Sequence, residues 1–389
     1  MFLSYDNKKN INDILCNTPL VDFDRPFDIS SNNLIYGDNL SVLKTLINEY
    51  NVKVDLIYID PPFATNNVFR IGKKRANTIS SNPTDDVAYT DNLTGSEFIE
   101  FLRERLVFAK EILSENGSIY LHIDYKIGHY VKIIMDEIFG AENFRNDITR
   151  IKCNPKNFHR KAYGNIKDLI LFYSKTNNNI WNNPTVSYTD NDIKKLFPKI
   201  DKDGRRYTTI PLHAPGETKS GATSEEFKGL KPPAGRHWRC SPKELEELDK
   251  NGLIEWSSNG VPRKIIYADE KEGKKMQDIW EYKDSQYPKY PTEKNIDLLK
   301  NIILASSNKD SIILDFFCGS GTTLIAAEQL GRKWIGIDSS QKAIKVSSLR
   351  LMENRGIFST DFNLLNANLG CRFNEFVELP VKQTLVVGH

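Results

Sequence analysis

The chain has 389 residues, of which 39% are hydrophobic and 27% are charged, and its formal net charge is +2. That length allows one large α/β domain with a smaller module. The near-neutral net charge excludes a long-range electrostatic attraction of nucleic acid by the whole protein, so any surface that binds nucleic acid must be a local cluster of basic residues. The five cysteines lack a Cys-x-x-Cys pair, and no stretch resembles a signal peptide or a membrane span, so we expect a cytoplasmic protein without a metal site or disulfide framework.

Strands and helices are predicted to alternate at both ends of the chain, after an irregular lead-in (1–30) that packs on the surface. Apolar runs predict mostly buried strands, and apolar residues at helical spacing predict helices. The pattern is typical of an α/β fold with a mostly parallel, twisted sheet. The predicted strands are 34–38, 54–59, 117–123, 169–173, 312–314 and 334–337, and the predicted helices are 40–50, 96–113, 130–139, 292–305, 322–330 and 341–352.

Composition predicts a module between two α/β halves. Residues 31–176 and 286–355 carry the α/β pattern, whereas residues 177–285 lack it and contain Pro, Gly, Trp and basic residues. We therefore predict that 177–285 is an inserted region with its own small fold, and that 356–389 is a C-terminal extension.

A glycine-rich turn, Phe317-Cys318-Gly319-Ser320-Gly321, follows the strand 312–314 and Asp315. Such a turn lets a ligand approach the backbone, and the following helix offers free N–H groups. Asp338 ends the next strand, where a carboxylate can accept hydrogen bonds from ribose hydroxyls. The third glycine of dinucleotide-binding turns is missing, which indicates a cofactor without a pyrophosphate. A structural turn with a surface aspartate is the alternative.

A second turn, Asp60-Pro61-Pro62-Phe63, follows the strand 54–59. The Asp60 carboxylate and the Pro61 carbonyl offer two acceptors for the hydrogens of an exocyclic amine. That arrangement favours a tetrahedral nitrogen that can attack a methyl group in line. Phe63 offers a ring face on which an extruded base can stack. The alternative is an ordinary turn with Phe63 in the core.

These two turns, in this order, resemble the S-adenosylmethionine-dependent DNA amino-methyltransferases of bacterial restriction–modification systems, in particular their permuted beta class. Gly37-Asp38-Asn39-Leu40, Leu121-His122-Ile123-Asp124 and Tyr290-Pro291-Thr292-Glu293-Lys294 resemble further motifs of that family. The chain looks most similar to type III modification subunits and their type II relatives.

The resemblance implies a Rossmann-like methyltransferase fold with circularly permuted motif order. It implies a catalytic half at 31–176, a target-recognition region at 177–285 and a cofactor-binding half at 286–355. Asp60, Pro61, Pro62 and Phe63 would act on the base. S-adenosyl-L-methionine would bind a pocket that comprises Asp38, Asp315, Phe317, Cys318, Gly319, Ser320, Gly321, Thr322, Asp338, Thr292 and Lys294.

Two basic clusters are predicted to contact DNA. The first lies in the polar loop after Phe63, which would close over the flipped nucleotide, and the second flanks an aromatic residue in 177–285. For the second cluster the alternative is a solvated basic surface around a small core. The predicted residues are Arg70, Lys73, Lys74 and Arg75 in the loop, and Arg236, Trp238 and Arg239 in the second cluster.

The leading hypothesis is methylation of adenine N6 in double-stranded DNA, because members of the family that this chain resembles more often carry Ser at the position of Asp60 when they act on cytosine N4. Cytosine N4 methylation is the close alternative, and methylation of RNA or protein glutamine, or a catalytically dead DNA-binding module, are further ones. No matched spacing in the sequence supports acid–base or metal chemistry for His122 and His129, so both are predicted to be structural. A cognate restriction endonuclease and a second copy of the chain are candidate partners.

Overall fold

The computed structural model describes residues 2–62, 95–155, 159, 161–284, 293–354 and 361–368, and the backbone alone of 68–71, 76–77 and 86–90. Contacts divide the chain into two compact units, Met1–Asn182 with Gln277–His389, and Asn183–Met276. The second unit falls inside the region 177–285, whose role in target recognition stays a prediction.

In the described part of the chain, ten strands form the main sheet of the first unit. We number them β1 to β10 along the chain. They are β1 (Asp22–Phe23), β2 (Asn32–Tyr36), β3 (Val54–Ile59), β4 (Leu113–Ile123), β5 (Phe144–Ile151), β6 (Lys167–Ser174), β7 (Ile279–Glu281), β8 (Ile312–Asp315), β9 (Lys333–Asp338) and β10 (Phe362–Asn368).

The strand order in this sheet is β1-β10-β2-β9-β8-β3-β4-β6-β5-β7. The six strands from β10 to β4 pair in parallel, and β5 pairs in parallel with β7. The pairs β1 with β10, β4 with β6 and β6 with β5 are antiparallel. The sheet is therefore mixed and mostly parallel, which confirms the predicted α/β class.

The helices of the first unit pack in two groups, α1 to α4 and α5 to α7. The central strand β3 is buried at every position except Asp55, as expected for a parallel strand that is covered on both faces. The helices are α1 (Ile11–Asn17), α2 (Asn39–Asn48), α3 (Gly95–Ile112), α4 (Gly128–Phe139), α5 (Ile296–Ser306), α6 (Thr322–Gln329) and α7 (Gln341–Glu353), with a 3-10 turn at Ala141–Asn143.

Both predicted ends of the fold need correction. The lead-in 1–30 does not simply pack on the surface, because Ile14, Val21 and Phe27 are buried in the main core. Residues after 355 are not only an extension, because β10 lies between β1 and β2 in the sheet. The predicted helix 292–305 begins at Ile296, where the side chain of Asn295 accepts hydrogen bonds from the first free amides.

The second unit has its own small core, built on Leu212, Phe227, Trp238 and Leu245. A four-stranded antiparallel sheet and two short strand pairs surround it. The strands are Lys199–Ile200, Arg206–Pro211, Pro262–Tyr267 and Ile254–Trp256 in the sheet, and His213–Pro215 with Arg236–Trp238 and Thr185–Val186 with Lys274–Lys275 in the pairs; the helices are Asp190–Leu196 and Pro242–Lys250, with 3-10 turns at Ala222–Ser224 and Ala268–Glu270.

A further antiparallel sheet, Val68–Ile71 with Ala76–Asn77 and Asp86–Thr90, lies between β3 and α3 in the chain. Within the described residues, no helix combines the length and apolar character needed to cross a membrane.

Candidate active site

Five neighbouring parallel strands each have an aspartate at the carboxyl end or within two residues after it. In sheet order β2, β9, β8, β3 and β4, these are Asp38, Asp338, Asp315, Asp60 and Asp124. The carboxyl ends of parallel strands form the edge at which α/β proteins bind ligands. This acidic edge suits a ligand that carries positive charge and hydrogen-bond donors. Asp124 was not among the predicted site residues, although an aspartate directly after a buried strand was the available signal.

Asp60 uses its two carboxylate oxygens differently. Its Oδ2 lies 2.6 Å from Nζ of Lys294, and both side chains are largely buried. Its Oδ1 is buried and has no hydrogen-bond partner among the residues that the structure describes. A buried acceptor without a donor is costly, so Oδ1 is suited to a ligand that donates a hydrogen bond. Pro61, which follows Asp60, is buried.

The glycine turn after β8 requires two residues with positive φ, 51° at Gly319 and 75° at Gly321. A Cβ on Gly321 would lie 3.0 Å from Cβ of Ser347, so a larger residue would also clash. Ser347 on α7 donates from Oγ to the carbonyl oxygen of Gly319 at 2.7 Å. The turn is thus held against α7 and leads directly into α6.

Asp338 accepts hydrogen bonds from two backbone amides. The N–H of Gly319 donates to Oδ2 at 2.9 Å, and the N–H of Ser340 donates to Oδ1 at 2.8 Å. Burial raises the pKa of this carboxyl, against the effect of both amides. A carboxylate oxygen can accept more than one hydrogen bond, so the arrangement leaves acceptor capacity for the predicted ribose contact.

Asp315 stabilises the glycine turn through hydrogen bonds to both of its carboxylate oxygens. Its Oδ1 accepts from the N–H of Phe317 at 3.0 Å, and its Oδ2 accepts from Oγ1 of Thr323 at 2.6 Å. Burial raises the pKa of Asp315 to about 7, with Asp60 and Asp338 adding to the increase. The Asp315 carboxyl therefore changes between its protonated and charged forms near neutral pH. A cation bound at the acidic edge would favour the charged form.

The other predicted turn residues are mostly buried. Burial raises the pKa of the Cys318 thiol well above its usual value, so this cysteine is a packing residue rather than a nucleophile. Ser320 and Thr322 contact each other through their hydroxyl oxygens at 3.2 Å. The ring of Phe317 lies 6.1 Å from that of Phe101.

Arg350 on α7 was missed by the sequence analysis. Its Nη1 donates to the carbonyl oxygen of Ser320 at 2.7 Å and to Oγ1 of Thr322 at 3.0 Å. Its Nη2 donates to Oε1 of Glu293 at 2.5 Å. An arginine late in a surface helix carries no sequence signal for such a role.

Asp38 is the N-cap of α2 and forms an ion pair. Its Oδ2 accepts from the N–H of Ser41 at 3.1 Å, and its Oδ1 lies 3.0 Å from Nη2 of Arg105. Burial lowers the pKa of Arg105 to about 10, and the Asp38 carboxylate opposes that change. Asn39 then links α2 to the turn, because its Nδ2 donates to the carbonyl oxygen of Phe316 at 2.6 Å.

A buried polar network lies behind Asp60. His122 contacts Oη of Tyr58 through Nδ1 at 2.9 Å and Oδ2 of Asp168 through Nε2 at 3.3 Å. Lys152 pairs with Asp168 at 2.6 Å. Burial lowers the pKa of His122, and the nearby Lys294 lowers it further, so this histidine is neutral at physiological pH.

Several predicted residues lie outside the described part of the chain. The side chains of the predicted base-stacking residue, the loop cluster and one predicted pocket residue are not described. These are Phe63, Arg70, Lys73, Lys74, Arg75 and Thr292.

The predicted contact of Trp238 with DNA is wrong. This side chain is buried in the core of the second unit, and its Nε1 donates to the carbonyl oxygen of Glu225 at 3.0 Å. Trp238 contributes the largest side chain to a core that it shares with Leu212, Phe227 and Leu245.

Arg236 and Arg239 are exposed on the same unit. Arg236 Nη1 lies 3.2 Å from Nδ1 of His213. Burial lowers the pKa of His213, and the positive charges of Arg236, Arg239 and Arg263 lower it further. The three arginines therefore form one local basic cluster, in which Arg263 was not predicted. Arg263 donates to Oγ1 and to the carbonyl oxygen of Thr209.

Comparison with known proteins gives one family. The family model described as a DNA methylase acting at N6 or N4 matches residues 54–348. The type II methyltransferase M.EcaI of Enterobacter cloacae is 39% identical over 367 residues, which cover 93% of this chain and 76% of that protein. The StyLTI Mod subunit of a type III restriction–modification enzyme of Salmonella typhimurium is 26% identical over 337 residues, covering 78% of this chain.

The chain spans about half of that type III subunit, 51% of its length. Among solved structures, the M1.HpyAVI–SAM complex shows 17% sequence identity and a TM-score of 0.42, over 82% of this chain and 98% of that one.

Proposed function

The chain belongs to the N6/N4 DNA methylase family of restriction–modification systems, and on that basis we propose that it methylates adenine N6 in double-stranded DNA at a specific sequence. The methyl donor is S-adenosyl-L-methionine. Methylation of cytosine N4 is the second candidate, since the family covers both amines. We favour adenine because family members that act on cytosine N4 more often carry Ser at the position of Asp60.

The observation that carries the proposal is the buried Oδ1 of Asp60 at the end of β3, which has no hydrogen-bond partner within the described part of the chain. Lys294 occupies the other carboxylate oxygen, so one acceptor remains for a hydrogen of the target amine. The Pro61 carbonyl is proposed to accept the second hydrogen. Two acceptors at these positions localise the lone pair on nitrogen, which is otherwise delocalised into the ring of the base.

The residues around the glycine turn fit the proposed donor. The positive φ values of Gly319 and Gly321 expose the backbone before α6, and Asp338 offers acceptors for ribose hydroxyls. The acidic edge compensates positive charge on sulfur and on the amino group of a methionine moiety. When bound, the donor supplies a methyl group whose S–C bond breaks as the amine N–C bond forms, after which the nitrogen releases one proton to solvent.

The remaining assignments are part of the proposal. The second unit, Asn183–Met276, would read the target sequence, with Arg236, Arg239 and Arg263 at phosphates or base edges. The loop that contains Arg70–Arg75 and Phe63 would close on the flipped base. The motif order, with Asp60 before the glycine turn, is proposed to be the circularly permuted one. A cognate endonuclease and a second copy of the chain are proposed partners in the cytoplasm.

Transfer of a tritiated methyl group from S-adenosyl-L-methionine to unmethylated plasmid DNA tests the proposal. The labelled DNA is hydrolysed to nucleosides, which are separated by chromatography. Label in N6-methyldeoxyadenosine supports the leading assignment, and label in N4-methyldeoxycytidine replaces it with the second candidate. A purified, folded protein that binds the donor and labels no duplex DNA would contradict methyl transfer to DNA.

A further inference from the structure

Lys294 was predicted to belong to the cofactor pocket, but its ammonium group contacts the base-binding carboxylate. Nζ lies 2.6 Å from Oδ2 of Asp60, and the two side chains are 9% and 15% exposed. An ion pair at this depth is screened little by solvent or salt, so it restrains the orientation of the Asp60 carboxylate strongly.

The pair gives the two oxygens of Asp60 different roles. Oδ2 has a cationic donor, whereas Oδ1 is buried without a donor in the described residues. A carboxylate that is held at one oxygen cannot rotate freely to satisfy the other. The orientation of Oδ1 is therefore fixed before any ligand arrives, which is the preorganisation that a weak amine nucleophile needs.

Lys294 also brings positive charge to an edge of the sheet that is rich in carboxylates. Asp315 ends the adjacent strand β8, and the charges of both Asp60 and Asp338 act on it. Tyr58 and His122 are buried nearby, and the charge of Asp60 acts on both. The ammonium group of Lys294 therefore offsets repulsion between neighbouring carboxylates while it holds Oδ2 of Asp60 in place.

The geometry points to Lys294 as a positioning residue for methyl transfer: it holds Oδ2 of Asp60, so that Oδ1 is oriented to accept a hydrogen of the target amine. This inference rests on the proposed function. It differs from a role in cofactor binding, because Lys294 then affects the turnover rate rather than the affinity for S-adenosyl-L-methionine.

The test uses four variants of the full chain. Lys294→Met removes the charge and the donor, Lys294→Gln keeps a donor without charge, and Lys294→Arg keeps both. Lys309→Met is the matched control, since Lys309 is exposed and lies just before the amino end of β8, away from the acidic edge. Thermal unfolding and calorimetric binding of S-adenosyl-L-methionine are measured for each variant.

Turnover on unmethylated plasmid DNA is measured at saturating donor for each variant. We expect kcat of Lys294→Met to fall at least about tenfold. We expect Lys294→Gln, which keeps a hydrogen-bond donor for Oδ2 of Asp60, to retain more activity than Lys294→Met. Lys294→Arg should recover most of the activity, and the donor Kd of all variants should stay within about threefold of the parent.

Two results would overturn the inference while leaving methyl transfer intact. One is an active parent together with Lys294→Met and Lys294→Gln enzymes whose kcat is unchanged. The other is a donor Kd that rises at least about tenfold in Lys294→Met while kcat is retained, which would make Lys294 a cofactor ligand. A folded parent that methylates no DNA would overturn the proposed function and this inference together.

Discussion

Arg350 donates a hydrogen bond from Nη2 to Oε1 of Glu293 at 2.5 Å, and this contact connects the glycine turn, through residues 293–294, to the turn that begins at Asp60. The same guanidinium holds the carbonyl oxygen of Ser320 through Nη1. Glu293 directly precedes Lys294, which pairs with Asp60. The two turns are far apart in sequence, and Arg350 couples the position of one to that of the other.

We therefore expect Arg350→Met to impair both binding and turnover. Loss of the charge-assisted hydrogen bonds should weaken binding of S-adenosyl-L-methionine about tenfold and also lower kcat. The exposed Lys345 lies on the same helix and supplies the control, Lys345→Met, which should resemble the parent in both measurements. Calorimetry and steady-state turnover that leave Arg350→Met indistinguishable from this control would refute the coupling.

Asp338→Ala should weaken binding of the methyl donor without a comparable effect on folding of the second unit. A hydrogen bond to a charged acceptor is worth roughly 1.5–3 kcal/mol, so Kd should rise by about one to two decades. Asp203→Ala removes an exposed carboxylate elsewhere and is the matched control. Equal Kd values for the two variants in calorimetry would exclude Asp338 from the pocket.

Asp315 should make the free protein less stable as pH rises toward neutrality. The folded-state pKa of Asp315, about 7, lies above its ordinary value of 3.8, so the folded state binds the proton more tightly than the unfolded state. The contribution of this group is therefore present below about pH 4 and is lost as pH rises to about 7. One pKa unit corresponds to about 1.4 kcal/mol of free energy.

The comparison is between the parent and Asp315→Asn in denaturant unfolding at several pH values. The asparagine side chain of the variant cannot titrate. The free energy of unfolding of the variant should therefore rise relative to that of the parent by about 1 kcal/mol or more between pH 5 and pH 8. A difference between the two proteins that is constant with pH would show that Asp315 stays ionised in the folded state.

Arg236 and Arg239 should contribute to DNA binding through the exposed basic cluster that they form near His213. The double alanine variant should bind target duplexes less tightly and with a smaller salt dependence if the side chains touch phosphates, or lose sequence preference if they touch base edges. Lys202→Ala with Lys250→Ala removes the same charge from exposed positions of the same unit. An Arg236/Arg239 variant that binds and methylates like the parent would exclude this cluster from target recognition.

In the loop after Phe63, the double variant Lys73→Ala with Lys74→Ala should instead lower turnover more than it changes sequence preference.

The sequence predicted the site best where one local pattern decides both structure and position. An apolar strand that ends in an aspartate places Asp60, Asp315 and Asp338 at one edge of a parallel sheet, because the carboxyl ends of such strands coincide. The left-handed conformations of Gly319 and Gly321 also follow from local sequence, since glycine adopts positive φ without strain.

Contacts between distant segments were not predictable in the same way. The pairing of Lys294 with Asp60 and of Arg350 with Glu293 depends on how the chain returns to the edge of the sheet. Trp238 was misassigned because it stands between two exposed arginines, and its burial depends on Phe227 and Leu245, which come from other segments. Strand β10 was missed because Asn residues interrupt its apolar pattern.

The role of Asp60 as the acceptor for the target amine is the central claim, and it is tested most directly by the DNA of cells that express the protein. A host without its own DNA methyltransferases would carry the parent, Asp60→Ala or the exposed control Asp13→Ala, and its DNA would be sequenced with detection of modified bases. We predict N6-methyladenine at one recurring sequence with the parent and Asp13→Ala, and no modification with Asp60→Ala, although that purified variant still binds S-adenosyl-L-methionine. Modification by Asp60→Ala at the parental level would contradict the account.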